Sequence, residues 1–162
     1  MKYHFIGIGG IGMSGLAMHL ASEGYQVYGS NYEENERVEY LRARGISVFI
    51  GHSPQNFDKP DLVIRTTAIK QGNPELVRAI FEDVPTIYRM ELLRKILADN
   101  ISTCVTGTDG KTTTTAMVAK ILFDDGRDPT VFLGGLNAFL ADGNYRRGGK
   151  VIVSELDESD GF

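Results

Sequence analysis

The sequence predicts an α/β fold built on parallel sheets, and three observations carry that prediction. Short runs of β-branched residues alternate with stretches of helical periodicity, which is typical of parallel βα units. Two glycine-containing loops each stand between a predicted strand and a predicted helix. The pattern also restarts near Asp99–Asn100. We therefore expect a Rossmann-like parallel-sheet domain over residues 1–98 and a truncated phosphate-loop (P-loop) α/β domain over residues 99–162.

Strands and helices alternate from the N-terminus. The apolar run Tyr3–Ile8 predicts a strand that leads into a glycine loop, and Ile11–Glu23 predicts the helix that follows. A second helix is expected at Glu34–Arg44, because Val38 and Leu41 fall on one of its faces. Further β-branched and apolar runs predict strands at Gln26–Ser30, Ser47–Ile50 and Leu62–Arg65.

The next predicted helix has a strong start signal. Asn73 can cap its first turn, and Pro74 suits the first helical position. Apolar residues then recur at helical spacing, and we expect the buried face to consist of Leu76, Val77, Ile80 and Phe81. A short strand at Thr86–Tyr88 and a helix at Met90–Ala98 complete the first domain.

The second half of the chain repeats the strand, loop and helix pattern. A strand is predicted at Ser102–Thr106, a helix from about Lys111 to Phe123 and a strand at Lys150–Glu155. A sheet of only two or three strands would leave an unprotected edge, so this domain is expected to be incomplete. Cys104 lies within the first of these strands and is expected to be an inert core residue.

Composition and charge exclude several classes of function. With 17 basic and 21 acidic residues the net charge is −4, which disfavours binding to a nucleic-acid backbone. The single cysteine excludes an internal disulfide and fits a reducing compartment. The uncharged stretch Phe5–Ser22 imitates a signal peptide or membrane span, but its five glycines would destabilise such a helix. The sequence therefore predicts a cytoplasmic protein that does not enter a membrane.

The first motif, G-I-G-G-I-G at Gly7–Gly12, matches the dinucleotide-binding pattern between a strand and a helix. Gly7 allows a tight turn, Gly9 lets a diphosphate approach the backbone, and Gly12 allows close helix packing. The helix N-terminus adds N–H groups and the positive end of its dipole. A tight turn that binds nothing is the alternative, but the flanking strand and helix favour diphosphate binding.

Polar residues near this loop leave the identity of the diphosphate open. An NAD-binding fold typically has an acidic residue at the end of the second strand to hold ribose hydroxyls. This chain has Ser30 and Asn31 there, with Glu33 close by, so NAD is disfavoured but stays an alternative. His4 has no catalytic spacing and is expected to pack in the core, whereas His52 could face either a ligand or solvent.

The second motif, T-G-T-D-G-K-T-T-T-T at Thr106–Thr115, is a shortened phosphate loop that begins at Gly107. Lys111 can reach the β- and γ-phosphates, Thr112 can place its hydroxyl on Mg²⁺, and the amides of residues 108–113 can cradle the phosphates. The alternative is a simple turn with an exposed lysine. Four consecutive threonines are poor helix formers, so a helix that starts here favours the binding of nucleotide phosphates.

The third motif is an acidic segment at the end of the last predicted strand, Glu155, Asp157, Glu158 and Asp160. The carboxyl ends of parallel strands face the ligand, and a carboxylate there can hold Mg²⁺ directly or through water. A solvated acidic turn is the alternative. Together with the phosphate loop, the segment predicts that at least one of these carboxylates binds Mg²⁺.

These motifs make the chain resemble the Mur ligase family. Matching stretches follow one another in order through the chain: H-F-I-G-I-G-G-I-G-M-S-G-L-A, Y-G-S-N, G-H-S, T-T-A-I, N-P-E, R-M-E-L-L, T-G-T-D-G-K-T-T-T-T-A-M, P-T-V-F-L-G-G and E-L-D-E-S-D-G-F. The resemblance implies a UDP-sugar-binding domain, a central ATPase domain and a C-terminal domain, of which only the first and the opening of the second are expected here.

The resemblance also implies a reaction. ATP, with Mg²⁺, would phosphorylate the lactyl carboxylate of UDP-N-acetylmuramate, and the amine of L-alanine would attack the acyl phosphate. Such a ligase serves peptidoglycan synthesis, and through it cell shape and division, in the cytoplasm. The family's amino-acid site would lie beyond Phe162, so the 162-residue chain is not expected to complete the reaction.

The resemblance further implies three sets of site residues. The UDP part of the substrate would be lined by Gly9, Gly10, Ile11, Gly12, Met13, Ser14, Ser30, Asn31, Thr67 and Ala68. ATP would be bound by Gly107, Thr108, Asp109, Gly110, Lys111, Thr112 and Thr113, with Lys111 as the catalytic residue. Mg²⁺ would be held by Thr112 and Glu155. Asp109 stands where the family usually has histidine, and Asn31 where it usually has aspartate.

Two alternatives stay open. The first is the related ligase that recycles murein tripeptide, which usually lacks the G-I-G-G-I-G-M-S form and carries a different acidic segment. The second is a non-catalytic module that binds NAD or another nucleotide, with a vestigial phosphate loop. That module would explain the glycine loop but would leave the second and third motifs as coincidences.

Overall fold

Two compact units, Met1–Leu92 and Leu93–Phe162, make up the chain. The computed structural model describes residues 1–140 and 143–156. Each unit contains one sheet, and the predicted α/β class with parallel strands is confirmed. Among the described residues, no helix combines the length and apolar character that a bilayer crossing would require.

The first unit is a five-stranded parallel sheet with the strand order β3-β2-β1-β4-β5. Its strands are β1 (Lys2–Ile6), β2 (Gln26–Asn31), β3 (Ser47–Ile50), β4 (Leu62–Arg65) and β5 (Thr86–Tyr88). Its helices are α1 (Ile11–Ser22), α2 (Glu36–Arg42) and α3 (Pro74–Phe81), and a 3₁₀ turn spans Pro54–Asn56. The strand order reverses between β1 and β4, which is where doubly wound sheets bind ligands.

Local signals explain where these elements begin and end. β1 ends two residues earlier than predicted, because Gly7 turns the chain with a φ of +84°. α2 begins two residues later than predicted, because Asn35 is its N-cap and its side chain accepts a hydrogen bond from the Val38 N–H at 2.9 Å. Val38 and Leu41 are both fully buried, as their spacing predicts.

The predicted buried face of α3 is wrong for three of its four residues. Leu76 is buried, but Val77, Ile80 and Phe81 are 52%, 64% and 82% exposed. The residues that α3 buries are Glu75, Leu76 and Ala79. The carboxylate of Glu75 is hydrogen-bonded inside the unit, and these bonds, with the small Ala79 side chain, select the face that packs against the sheet. The Asn73 cap is confirmed, since its Oδ1 accepts from the Glu75 and Leu76 N–H groups.

A fourth helix, α4 (Arg89–Ala98), spans the division between the units, and the second unit is a four-stranded sheet. Its order is β6-β9-β7-β8, with β7 and β8 antiparallel and the other pairs parallel. Its elements are β6 (Ile101–Val105), α5 (Lys111–Asp124), β7 (Thr130–Phe132), β8 (Tyr145–Arg146) and β9 (Val151–Glu155). The expectation of two or three strands is therefore wrong, because β7 and β8 have only three and two residues and gave no periodic signal.

Cys104 is exposed, which corrects the expectation that it belongs to the core. Within the described sheet β6 is an edge strand, paired only with β9. Its neighbours Ile101 and Thr103 are exposed as well. Partial desolvation nevertheless raises the pKa of the Cys104 thiol above its ordinary value.

The exposure of Cys104 predicts that the folded chain reacts with a thiol reagent. We expect one equivalent of maleimide to couple to the native protein, more slowly than to a free thiol because the raised pKa lowers the thiolate fraction. Cys104→Ser should give no coupling, which makes it the control. Coupling that begins only when the protein unfolds would contradict the exposed position.

Candidate nucleotide and phosphate sites

The glycine loop joins β1 to α1 and turns directly against β2. The N–H groups of Gly7 and Ile8 both donate to the main-chain oxygen of Ser30, at 2.8 and 2.9 Å. The loop is thereby held at the carboxyl end of β1, beside the reversal of strand order. This is the edge of the sheet at which a phosphate-bearing ligand is expected.

The side chain of Asn31 links the glycine loop to the segment that follows β2. Its Oδ1 accepts from the Gly9 N–H at 3.1 Å, and its Nδ2 donates to the Glu33 main-chain oxygen at 2.8 Å. A Cβ on Gly9 would lie 2.7 Å from Asn31 Nδ2, so any other residue here would force the Asn31 side chain out of its position. An aspartate at position 31 could also accept from the Gly9 N–H but could not donate to Glu33, so the asparagine adds a hydrogen bond to the segment after β2.

The start of α1 offers main-chain groups rather than side chains. Gly10 is the N-cap and supplies no side-chain acceptor, and the first turn contains no acidic residue. The positive end of the helix dipole is therefore not neutralised from within the helix. Gly10 and Ile11 are exposed, whereas Met13 and Ser14 are buried. Met13 and Ser14 are therefore not placed to offer side chains to a ligand, and the Ser14 N–H already donates to the Gly10 oxygen at 2.8 Å.

The turn after β4 borders the glycine loop. Thr67 and Ala68 lie in this turn and are exposed. A Cβ on Gly7 would lie 3.6 Å from Cδ1 of Ile69, the next residue of the same segment. The turn that carries Thr67 and Ala68 therefore reaches the glycine loop through Ile69, since β4 pairs with β1 in parallel.

Two arginines lie at the carboxyl ends of β4 and β5: Arg65 is the last residue of β4, and Arg89 directly follows β5. Arg89, the first residue of α4, lies so close to Gly12 that any Cβ there would clash with the guanidinium. Arg65 stacks on the ring of Tyr88, with 4.3 Å between the guanidinium carbon and the ring centroid, and donates to the Tyr88 hydroxyl at 2.7 Å. The positive charge beside the α1 start favours an anionic ligand.

A buried carboxylate lies directly beneath this edge. Glu75 is fully buried, and its Oε2 accepts from Nε2 of His4 at 2.9 Å and from the Ser30 hydroxyl at 2.5 Å. Its Oε1 accepts from the Ser53 N–H at 3.1 Å and from Nδ2 of Asn56 at 2.7 Å. Burial alone would raise the pKa of Glu75, but the hydrogen bonds from His4, Ser30 and Asn56 outweigh it and hold the pKa below its ordinary value of 4.5.

His52 is the outermost member of this network. Its Nδ1 lies 2.9 Å from the Ser30 hydroxyl and 3.8 Å from Glu75 Oε1. Its side chain is 17% exposed, while the side chain of His4 is completely buried, as expected from the sequence. Because the Gly51 N–H donates to the Asn31 oxygen at 2.8 Å, the segment that carries His52 is tied to the residue that braces the glycine loop.

The phosphate loop joins β6 to α5. Gly107 and Gly110 have φ values of +139° and +73°, and Gly110 is the N-cap of α5. Nζ of Lys111 donates to the Gly107 oxygen at 2.8 Å, which keeps the amine over the loop. The Thr115 hydroxyl donates to the Lys111 oxygen at 2.8 Å and supports the threonine-rich helix start. All seven predicted ATP-binding residues are partly or fully exposed, namely Gly107, Thr108, Asp109, Gly110, Lys111, Thr112 and Thr113.

Thr112 and Glu155 converge on a pair of glycines after β7. A Cβ on Gly135 would lie 3.2 Å from Thr112 Cγ2 and 3.5 Å from its hydroxyl, and a Cβ on Gly134 would clash with the Glu155 carboxylate. Oε2 of Glu155 is buried and has no hydrogen-bond partner among the described residues. A buried carboxylate oxygen without a donor fits a hard cation such as Mg²⁺.

Thr112 and Glu155 alone do not complete the coordination of a metal ion, so further ligands would have to come from other groups. In the part of the chain that the structure describes, no group of three or more His, Cys, Asp and Glu side chains is placed to hold a metal ion. Phosphate oxygens and water commonly complete the coordination of Mg²⁺. Asp157, Glu158 and Asp160, the other acidic residues of the third motif, lie outside the described residues.

Comparison with known proteins identifies the family. The model of the Mur ligase family, catalytic domain, matches residues 2–100, which is more than half of the chain. The chain belongs to the Mur ligase family. The resemblance inferred from the sequence motifs is thus confirmed.

Two Mur ligase relatives illustrate the extent of the similarity. The UDP-N-acetylmuramate–L-alanine ligase of Thermotoga maritima is 54% identical over 164 residues, which cover 100% of this chain and 36% of the relative. The enzyme of the same name from Aquifex aeolicus is 43% identical over 160 residues, covering 99% of this chain and 35% of that protein. The chain therefore spans about a third of the length of these relatives.

Solved structures of Mur ligases superpose on this chain over almost all of its length. The crystal structure of the Thermotoga maritima UDP-N-acetylmuramate–alanine ligase superposes with a TM-score of 0.95, at 54% identity, over 98% of this chain and 37% of that one. The UDP-N-acetylmuramate:L-alanyl-γ-D-glutamyl-meso-diaminopimelate ligase from Neisseria superposes with a TM-score of 0.87, at 30% identity, over 98% of this chain and 53% of that one.

Sequence reasoning missed several residues that the structure of this chain places at the two candidate sites. Arg89, Gly134 and Gly135 were noticed only as parts of motifs, and no role was inferred for them. No role was inferred for Glu75 either, which occurs only within the N-P-E motif. No local signal marks Glu75, because its hydrogen-bond partners His4 and Ser30 lie far from it in the sequence.

Proposed function

We propose that this chain is the UDP-sugar-binding part, and the beginning of the ATP-binding part, of a cytoplasmic ligase that joins L-alanine to UDP-N-acetylmuramate in peptidoglycan synthesis. The observation that carries the proposal is the 54% identity to L-alanine ligases across the whole chain. The identity to a ligase that acts on a murein peptide is 30%, which disfavours that alternative.

The two binding tasks are divided between residues 1–98 and residues 99–162. The division of the chain into units at Leu92 and Leu93, within α4, supports a boundary in this region. In the first part, the main chain at Gly9–Ser14 takes the diphosphate at the α1 start, with Arg89 adding positive charge. Ser30, Asn31 and the exposed turn with Thr67 and Ala68 border the rest of the UDP part.

In the second part, the phosphate loop takes ATP. The main chain of the loop has positive φ values at Gly107 and Gly110, which lets amides approach the phosphates. Lys111 carries its charge to the β- and γ-phosphates once its amine leaves the Gly107 oxygen. Thr112 and Glu155 fit a Mg²⁺ ion, which would neutralise phosphate charge during transfer.

The reaction has two steps. The lactyl carboxylate attacks the γ-phosphorus of ATP, and ADP leaves, which forms an acyl phosphate. The amine of L-alanine then attacks the acyl carbon, and inorganic phosphate leaves as the amide forms. Lys111 contributes to the first step by stabilising the negative charge that spreads over the transferring phosphoryl group, where electrostatics supply most of the catalysis.

The proposal predicts that the chain binds UDP-N-acetylmuramate and that Gly9→Val weakens this binding by at least about tenfold. The valine side chain would displace the Asn31 side chain, which accepts the hydrogen bond of the Gly9 N–H, and would so deform the proposed diphosphate site. Isothermal titration calorimetry on the purified chain, with UDP-N-acetylmuramate and with NAD as separate ligands, measures the effect.

Gly72→Val is the matched control, because nothing lies within 4 Å of a Cβ at that position. It should leave the affinity unchanged. Unaltered binding by a folded Gly9→Val chain would show that the loop is not the diphosphate site. Tighter binding of NAD than of UDP-N-acetylmuramate would instead favour the nucleotide-binding module without ligase activity.

A further inference from the structure

We propose that Glu75 is a positioning residue for the nucleotide-sugar site, which fixes His52 as a hydrogen-bond acceptor for an N–H or O–H group of the bound UDP part. The proposal rests on the proposed function, since it assigns a role within the same site. It follows from the directions of the hydrogen bonds between Glu75, Ser30 and His52.

The first step is that Glu75 accepts every hydrogen bond it makes. Four donors surround its two oxygens, at 2.5–3.1 Å: His4, Ser30, Ser53 and Asn56. An ionised carboxylate has about four acceptor sites and no donor, so this set saturates it. The lowered pKa of Glu75 agrees with an ionised group. The short contact from the Ser30 hydroxyl is therefore a donation to Glu75.

The second step concerns Ser30. A hydroxyl carries one hydrogen, and that of Ser30 is committed to Glu75. Its contact with Nδ1 of His52, at 2.9 Å, must therefore be one in which the imidazole donates. A neutral imidazole that carries its proton on Nδ1 has an unprotonated Nε2, which is an acceptor.

The third step is the position of His52. Ser30 also receives the N–H groups of Gly7 and Ile8, and Gly51 is bonded to Asn31, so His52 lies next to the glycine loop. Its side chain is the partly exposed end of an otherwise buried network. Among the described residues, Nε2 of His52 makes no hydrogen bond, and this nitrogen is accessible and not buried. An accessible acceptor beside a diphosphate site selects for a hydroxyl or N–H of the nucleotide.

An isosteric change that removes the negative charge of Glu75 should reverse this arrangement. In Glu75→Gln, the amide nitrogen donates where a carboxylate oxygen accepted. If that nitrogen faces Ser30, the hydroxyl must accept from it and donate to His52 Nδ1, which moves the imidazole proton to Nε2. His52 then presents a donor to the ligand instead of an acceptor.

Nitrogen-15 NMR on the whole chain reads the tautomer directly, because the chain has only three histidines. His52→Gln identifies the His52 signals. We expect the Nδ1–H tautomer in the wild-type chain and a shift toward Nε2–H in Glu75→Gln. Glu82→Gln, the same chemical change on a partly exposed glutamate that pairs with Arg78, is the matched control and should shift nothing. A wild-type His52 with its proton on Nε2 overturns the proposal without the need for any variant.

Calorimetry with UDP on the same proteins tests the ligand contact. We expect Glu75→Gln to weaken UDP binding by about tenfold, the effect of one lost hydrogen bond. In a His52→Gln background the same change should add less than about twofold, because Glu75 acts through His52. Additive losses would overturn the positioning role.

Analogues of UDP identify the donor and separate the proposal from the proposed function. 2′-Deoxy-UDP lacks one hydroxyl donor, and 3-methyl-UDP lacks the base N–H. One of them should bind the wild-type chain about tenfold more weakly than UDP and lose this penalty in Glu75→Gln. Equal binding of all three ligands would overturn the proposal while leaving the proposed function intact. Failure of the wild-type chain to bind UDP or UDP-N-acetylmuramate would overturn both.

Discussion

Lys111→Ala is expected to lower the ligation rate by about 10³-fold or more in a ligase of full family length that carries these residues. The substitution removes a positive charge from the phosphate loop, where the Lys111 amine lies 2.8 Å from the Gly107 oxygen. Phosphoryl transfer depends on such charges, because the protein contributes mainly positioning and electrostatic stabilisation. A phosphate-release assay that depends on L-alanine measures the loss.

The affinity for UDP-N-acetylmuramate should change by less than about twofold in the same variant, because Lys111 belongs to the second unit and the UDP part is proposed to bind the first. Lys120→Ala is the matched control: Lys120 lies on the same helix but is exposed and paired with Asp124. Its removal should leave turnover within about twofold of the wild-type value. Equal loss of turnover and of UDP-sugar affinity in folded Lys111→Ala would contradict the division of the two binding tasks.

Much of the fold could be predicted because its signals are local. The glycine loop, the Asn73 cap and the alternating apolar runs each depend on residues a few positions apart, and the strands Ser47–Ile50 and Leu62–Arg65 have the predicted bounds. The same locality explains why both glycine loops were found at the start of helices. Short strands such as β8, with two residues, carry too few positions for a period to be recognised.

The features that could not be predicted depend on residues far apart in the sequence. The hydrogen-bond partners of Glu75 are separated from it by 71, 45, 22 and 19 positions in the sequence. These hydrogen bonds decide which side of α3 is buried. A prediction from sequence periodicity assumes that the apolar side of a helix is buried and that a glutamate lies on the surface. It therefore assigns Val77, Ile80 and Phe81 to the core, although all three are exposed. The convergence of Glu155 on Gly134 likewise depends on the pairing of β9 with β7.

Removal of the Glu75 side chain is expected to have a large effect on the stability of the first unit. Glu75→Ala is expected to lower the free energy of unfolding of the first unit by about 3–5 kcal/mol, because it leaves buried donors without their acceptor. A loss of that size is a large part of the stability of a typical domain. Urea unfolding at about pH 7, followed by circular dichroism, measures it. Glu82→Ala, which removes a partly exposed pair with Arg78, should cost less than about 1 kcal/mol.

The effect of Glu75→Ala should also depend on pH in a defined direction. The pKa of Glu75 is lower in the folded chain than its ordinary value of 4.5, so the charged carboxylate contributes its full stability above that value. The contribution is lost as the pH falls through the folded-state pKa. The difference in unfolding free energy between wild type and Glu75→Ala should therefore be constant at neutral pH and shrink below about pH 4.5. A difference that grew on acidification would show that Glu75 is protonated in the folded protein, and the saturated acceptor network would then be wrong.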